Sequence, residues 1–193
     1  MSNPGVGVPG RIIAKVASVR LDPAGNAVLA DCFKQFGVLV VPVDEDAVTL
    51  FNRQKFEACI LRLYEPDAVQ VLEAARKSNS NRRMVIYGVA RNTQEALRHS
   101  SFGINAVLDE PIERQAVLRV VRATYLLVVH ELRRYVRIPV IAETVIDTGG
   151  VRKLAAMAIE VSGGGMSLRC ESSLASVESV RVSFVLPGSG RIS

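Results

Sequence analysis

The sequence predicts an α/β domain followed by an all-β domain, and two changes of pattern along the chain predict it. Over residues 11–128, continuous apolar runs alternate with amphipathic segments of period near 3.6, the pattern of parallel strands joined by helices. After residue 133 the period drops to two and turn-rich breaks separate short segments, the pattern of antiparallel strands. A chain of 193 residues, 49% of them hydrophobic, is long enough to bury a core in such an arrangement. The expectation is a doubly wound five-stranded parallel sheet over 11–128 and a small barrel or sandwich over 129–193.

In the first domain, "RIIAKVASVRL" reads as a strand, and "AGNAVLADCFKQFG" as a helix ending at Gly37, a common helix stop. "VLVVPV" is a buried strand and "EDAVTLFNRQKF" a helix; "ACILRL" and "DAVQVLEAARKS" repeat the pair. "RMVIYGVA" is the fourth strand, and "TQEALRHSSFG" a helix opened by an N-cap at Asn92 or Thr93. "NAVLD" is a short fifth strand. Pro111 suits the first turn of a last long helix that runs to about Leu132. Connections of this kind are right-handed crossovers.

Composition excludes several classes. Lys and Arg number 24 against 19 Asp and Glu, a net of +5. Up to residue 128 there are 16 basic and 13 acidic residues, and after it 8 and 6. Neither half is basic enough to argue for nucleic acid, and no helix-turn-helix pattern is visible. Cys32, Cys59 and Cys170 form neither a disulfide framework nor a C-x-x-C pair, and are expected as small apolar residues. His99 and His130 are isolated, so no metal site is expected. "MSNPGVGVPG" has no charged n-region or apolar h-region. The stretch "AVLRVVRATYLLVVHEL" is broken by Arg119 and Arg122, and its uncharged run is too short to span a bilayer. A cytoplasmic protein without a membrane partner is expected. "GVGVPG" matches G-x-G-x-x-G, but it precedes the first strand and Pro9 removes a donor, so a flexible leader is expected.

By order and spacing of elements, residues 11–128 resemble a response-regulator receiver domain. "FEACILRLYEP" resembles its third strand and following loop, and "AVLDEPIERQAVLRVVR" its fifth strand, Lys-Pro turn and last helix. The chemistry departs from the family. The phosphoacceptor aspartate falls on Arg62, and the acidic pair on Arg20 and Leu21, with Asp22 just beyond. The hydroxyl residue falls near Val89, and the lysine before proline on Glu110. Aspartyl phosphorylation needs a carboxylate nucleophile, an acidic Mg²⁺ cluster and a cation for the developing charge. The resemblance therefore implies a pseudo-receiver that positions or dimerises the second half, with Arg62 and Glu110 placed to pair across the strand ends.

The second domain reads as "RIPVIAETV", "LAAMAIEVS", "GMSLRC" and "SVRVSFVLP", broken by "DTGGVRK" and "ESSLAS". "RRYVR" gives R-x-x-x-R through Arg133 and Arg137, with Arg134 between them; "EVSGGG" gives Glu160, Ser162 and Gly165. In this order on a β domain, the two motifs resemble the PilZ family, which binds cyclic di-GMP through R-x-x-x-R and [DN]-x-S-x-x-G. The resemblance covers about 130–193 and implies a non-enzymatic receptor. Arginine forks grip phosphates and guanine edges. The carboxylate accepts from guanine N–H groups, the serine offers a hydroxyl, and the glycines permit close backbone approach. Glu160 stands where the family has Asp or Asn, and the chain stops at Ser193, where relatives continue, so a C-terminally truncated barrel is expected. Other readings stay open: "SGGG" as a plain tight turn, the arginines as a charged linker, or an interaction module without nucleotide. A homodimer is also expected, because Val117, Leu118, Val121, Tyr125, Leu126, Val128 and Val129 spread over more of the last helix than one sheet face buries.

Overall fold

A computed structural model describes residues 13–44, 46–149, 153–174, 178–185 and the backbone of 191–192. The expected leader at 5–10, and parts of the expected turns at 147–153 and 171–176, lie outside the described residues. The chain divides after Leu132 into two compact units.

The first unit runs β1 (Lys15–Val19), α1 (Pro23–Lys34), β2 (Leu39–Val43), α2 (Ala47–Arg53), β3 (Ala58–Arg62), α3 (Ala68–Lys77), β4 (Val85–Ala90), α4 (Thr93–Arg98), β5 (Ala106–Asp109) and α5 (Arg114–Tyr135). The five strands form one parallel sheet in the order β2-β1-β3-β4-β5. Of the two cap candidates for α4, Asn92 serves: its side chain accepts from Glu95 N at 3.0 Å. Burial is on both sheet faces, as parallel pairing requires. One cluster gathers Val16, Ile60, Tyr87, Leu29, Phe33 and Val121; the other gathers Ala17, Leu61, Ile86, Phe51, Phe56 and Leu72. Inside the first, Tyr87 donates its hydroxyl to Thr124 Oγ1 at 2.7 Å, and Thr124 donates on to the Val120 carbonyl. Cys32 and Cys59 are buried, and burial raises both thiols, Cys59 to about 12.

Two expectations are corrected here. Pro111 does not open the last helix: the Glu110–Pro111 peptide is cis and α5 starts at Arg114. The reason lies in β5, whose ladder continues through Glu110 N, which donates to the Ala90 carbonyl at 3.1 Å. The chain is still extended at Glu110 and needs a short loop before it can turn into a helix. The apolar surplus of α5 is also smaller than expected. Val117, Val121 and Val128 are buried in the unit's own core, and Leu118 and Tyr125 pack against it. Tyr125 meets Phe36, with ring centroids 5.4 Å apart. Leu126, at 76% exposure, Leu127 and Tyr135 remain exposed, and Val129 is half-buried.

The second unit is an antiparallel sheet of β6 (Ile138–Asp147), β7 (Lys153–Ser162), β8 (Gly165–Cys170), β9 (Arg181–Val185) and β10 (Arg191–Ile192), in the order β10-β9-β6-β7-β8. Among the described residues no ladder joins β8 to β10, so an open sheet stands where a barrel was expected. Register shifts fall between Pro139 and Ala142 on β6 and between Ala158 and Glu160 on β7. Ala142, Thr144 and Ile146 are buried on one face, and Ile141, Glu143 and Val145 alternate with them on the exposed face.

Gly88 on β4 sets the tightest approach near the carboxyl ends of the parallel strands. A Cβ there would sit 2.5 Å from Leu63 Cδ1 and 2.9 Å from its Cγ. Leu63 is 2% exposed and belongs to the buried core on that face of the sheet. Gly88→Ala is expected to lower unfolding stability by about 1–3 kcal/mol in denaturant titration. Leu63→Ala in the same chain should recover part of that loss, giving a non-additive double-mutant cycle.

Candidate functional site

Two sets of sequence-selected residues converge, one in each unit. In the first unit they meet at the carboxyl ends of the strands, where an open α/β sheet presents its crevice. Arg62 ends β3, and its side chain is only 15% exposed. Its Nε and Nη2 donate to Glu110 Oε1 at 3.1 and 3.0 Å. Nη2 also reaches Asp22 Oδ2, and Nη1 donates to the Arg20 carbonyl at 3.3 Å. Tyr64 donates its hydroxyl to the other oxygen of Glu110, and Arg91 lies 3.6 Å from the centre of the Tyr64 ring. Arg20 pairs with Asp67. The expected Arg62–Glu110 contact is therefore present, within a larger network that reading the sequence did not find.

The electrostatics follow from this geometry. The Gly25 N–H first, and the Arg62 guanidinium second, hold the Asp22 carboxyl below its usual value. Burial, and then donation to the Glu110 carboxylate, raise the Tyr64 phenol. Asp22, Asp67 and Glu110 each already face an arginine. A guanidinium occupies the centre, so the cluster offers neither a carboxylate nucleophile nor a free acidic pair for Mg²⁺.

In the second unit, Arg133 and Arg134 lie in the last turn of α5, and Arg137 lies just before β6. Glu160 and Ser162 are on β7, and Gly165 opens β8. Ser162 pairs with Gly165, leaving a two-residue hairpin loop of Gly163 and Gly164. That loop rests on backbone. Gly163 N donates to the Arg133 carbonyl at 2.9 Å, one of the helix-end carbonyls that lack a helical partner. A Cβ on Gly163 would meet Arg133 at 3.2 Å, and one on Gly164 the Arg134 carbonyl at 3.3 Å. Close approach is thus one reason for glycine at both positions.

The structure brings Arg137 and Glu160 together, with Nη1 3.5 Å from Glu160 Oε2. The same Nη1 donates to Ser167 Oγ at 3.0 Å. Ser167 was missed from sequence, although hairpin counting finds it: with Ser162 opposite Gly165, Glu160 falls opposite Ser167. Ser162 itself turns inward on the loop, donating to the Gly165 carbonyl at 3.1 Å and accepting from Gly164 N at 3.2 Å. Arg133 and Arg137 are exposed, while Arg134 is half-buried.

The first unit has the fold of response-regulator receiver domains. It is similar to the chemotaxis response regulator CheY4 of Vibrio cholerae, with a TM-score of 0.52 and 15% identity over 58% of this chain and 98% of that one. A putative response regulator from Chloroflexus aurantiacus gives 0.52 and 16% identity over 60% and 98%. A response regulator receiver domain protein from Methanospirillum hungatei gives 0.50 and 15% over 63% and 98%. No family model matches the chain. No curated protein matches it.

Two outcomes follow from the Arg62 cluster. Incubation with acetyl phosphate, or with beryllofluoride and Mg²⁺, is expected to leave the mass and spectra unchanged; a stable aspartyl adduct would contradict this. Arg62→Met, which leaves Glu110 and Asp22 without their cation, should cost about 1–3 kcal/mol of stability. It should also alter the acid limb. A carboxyl lowered in the folded state contributes stability that is present above its unfolded pKa and lost as pH falls below about 4. With one of its two main causes gone, the Asp22 part of that loss should shrink, and a pH series of thermal melts reads the difference.

Proposed function

We propose that this chain is a non-enzymatic receptor for cyclic di-GMP. In this reading the second unit is a PilZ-like ligand domain, and the receiver-fold unit is a scaffold for dimerisation or interaction in a cytoplasmic signalling protein. The receiver fold supports a role in signalling. Among the described residues no helix is long and apolar enough to cross a membrane.

One observation carries the ligand reading. Arg137, just before β6, meets Glu160 on β7 and Ser167 on β8 within 3.5 Å, beside a glycine loop that rests on the backbone of Arg133. A cyclic dinucleotide presents two phosphates and two guanine edges. Arg133 and Arg137 are exposed forks of the kind that bind phosphate oxygens bidentately or bond O6 and N7 of guanine. Glu160 is the acceptor for guanine N1–H and the exocyclic amine. Ser167 offers a hydroxyl beside the Arg137 guanidinium, and Ser162 offers a second on the hairpin loop. On binding, Arg137 exchanges Glu160 for phosphate, and Glu160 is released to the base.

A second reading, an interaction module that binds no nucleotide, is favoured by a different observation. Arg137 already has carboxylate and hydroxyl partners, and Ser162 and the glycines already serve the hairpin.

Calorimetry with cyclic di-GMP decides between the two. Saturable binding is expected, and its absence selects the interaction module. Arg133→Ala and Arg137→Ala should each weaken affinity by roughly tenfold to a hundredfold, since a charge-assisted contact contributes about 1.5–3 kcal/mol. Arg134→Ala should change it little, and Glu160→Asp should preserve or strengthen it. Binding that survives both arginine substitutions places the ligand elsewhere. A homodimer belongs to the same reading, and light scattering at high micromolar concentration measures it.

A further inference from the structure

The exposed face of the antiparallel sheet carries a pattern that the ligand reading does not use. Ile141 is 82% exposed, Val145 42%, Met157 38% and Ile159 37%. Large apolar groups on the open face of a sheet are costly in water unless covered. Charge says what covers them. Glu143 on β6 pairs in register with Met157 on β7, and Met157 pairs with Arg169 on β8. Residues directly opposite share a face, so one row across the sheet reads acid, methionine, base. Glu143 and Arg169 are both exposed.

That row is self-complementary. A two-fold axis along β7 through Met157 carries β6 of one copy over β8 of the other. Glu143 of each copy then lies opposite Arg169 of its partner, with methionine against methionine between them. The operation keeps the two sheets aligned, as packed sheets prefer, at a separation of about 10 Å that a glutamate and an arginine together span. Ile141, Val145 and Ile159 fill the rest of the contact.

We propose that this face is the surface on which a second copy of the chain docks. The interface rests on the homodimer of the preceding section and not on nucleotide binding. The rival surfaces are Leu126 on α5 and the outer edge of β8. Three strands about 4.8 Å apart give a contact at the low end of interface sizes, so association in the micromolar range is expected.

Sedimentation equilibrium on the full chain without nucleotide tests this. Glu143→Arg and Arg169→Glu should each weaken the dimer at least about tenfold, because each places like charges opposite one another twice in the assembly. The double variant Glu143→Arg/Arg169→Glu should restore the dimer, which also shows that neither substitution acts by unfolding. Leu126→Glu should leave it intact. A wild-type monomer throughout the range removes both the dimer and this interface. A dimer that is indifferent to the single reversals, a folded double variant that stays monomeric, or loss of the dimer on Leu126→Glu alone overturns the interface while leaving the dimer in place.

Discussion

A guanidinium taken mostly out of water has to be met by carboxylates, and the carboxyl edge of the parallel sheet is organised around that requirement. Arg62 sits at the end of β3, where its neighbours come from two different loops: the Arg20 carbonyl and Asp22 after β1, and Glu110 after β5. Satisfying one cation thus ties together the connections at the strand ends. Tyr64 and Arg91 extend the network outward, and Arg20 and Asp67 pair beside it. Here the centre is positive, and the acids around it are neutralised before any external cation or phosphoryl group arrives. An arginine-centred ion network occupies this edge of the fold.

In the second unit the corresponding constraint is backbone proximity. The Gly163–Gly164 loop lies so close to Arg133 and Arg134 that side chains on it would press on their atoms. This contact seats the Arg133–Arg134 backbone on the β7–β8 hairpin. Arg137, four residues beyond Arg133, then falls between Glu160 and Ser167. The motif residues are thus not all equivalent. Glycines and Ser162 build the hairpin and seat it, whereas Arg133, Arg137, Glu160 and Ser167 supply the polar groups that face outward.

The two sheets treat their faces differently. The parallel sheet covers both, and the apolar stripe of α5 is largely consumed in doing so, through Val117, Val121 and Val128. The antiparallel sheet buries Ala142, Thr144, Ile146 and Ala158 on one side and leaves isoleucines and a methionine on the other. Exposed apolar side chains are left on both this sheet and α5: Ile141, Val145, Met157 and Ile159 on the sheet, and Leu126, Leu127 and Tyr135 on the helix. A moment computed along a helix counts apolar residues but not the neighbours, such as Phe36, that come from distant segments to cover them.

Local features were legible in the order of residues. Apolar period located every strand and helix of the first unit and the four longer strands of the second, and narrowed the cap of α4 to Asn92 or Thr93, of which the fold uses Asn92. Departures at positions 20, 62, 89 and 110 were legible because they are single residues read against element order. Tertiary structure alone decided what depends on approach between distant segments. Arg62 and Glu110 are 48 residues apart, and Asp22 joins them from 40 residues away. Ser167 meets Arg137 across 30 residues. Pro111 was placed by a ladder that ran one residue longer than its strand pattern. Two register shifts, in β6 and β7, reset which side chains share a face near Glu160. The physical reason is common to all of these. Periodicity records which face of an element prefers to be buried, whereas charge pairing, register and glycine contacts record what lies opposite, and that exists only once the chain has folded.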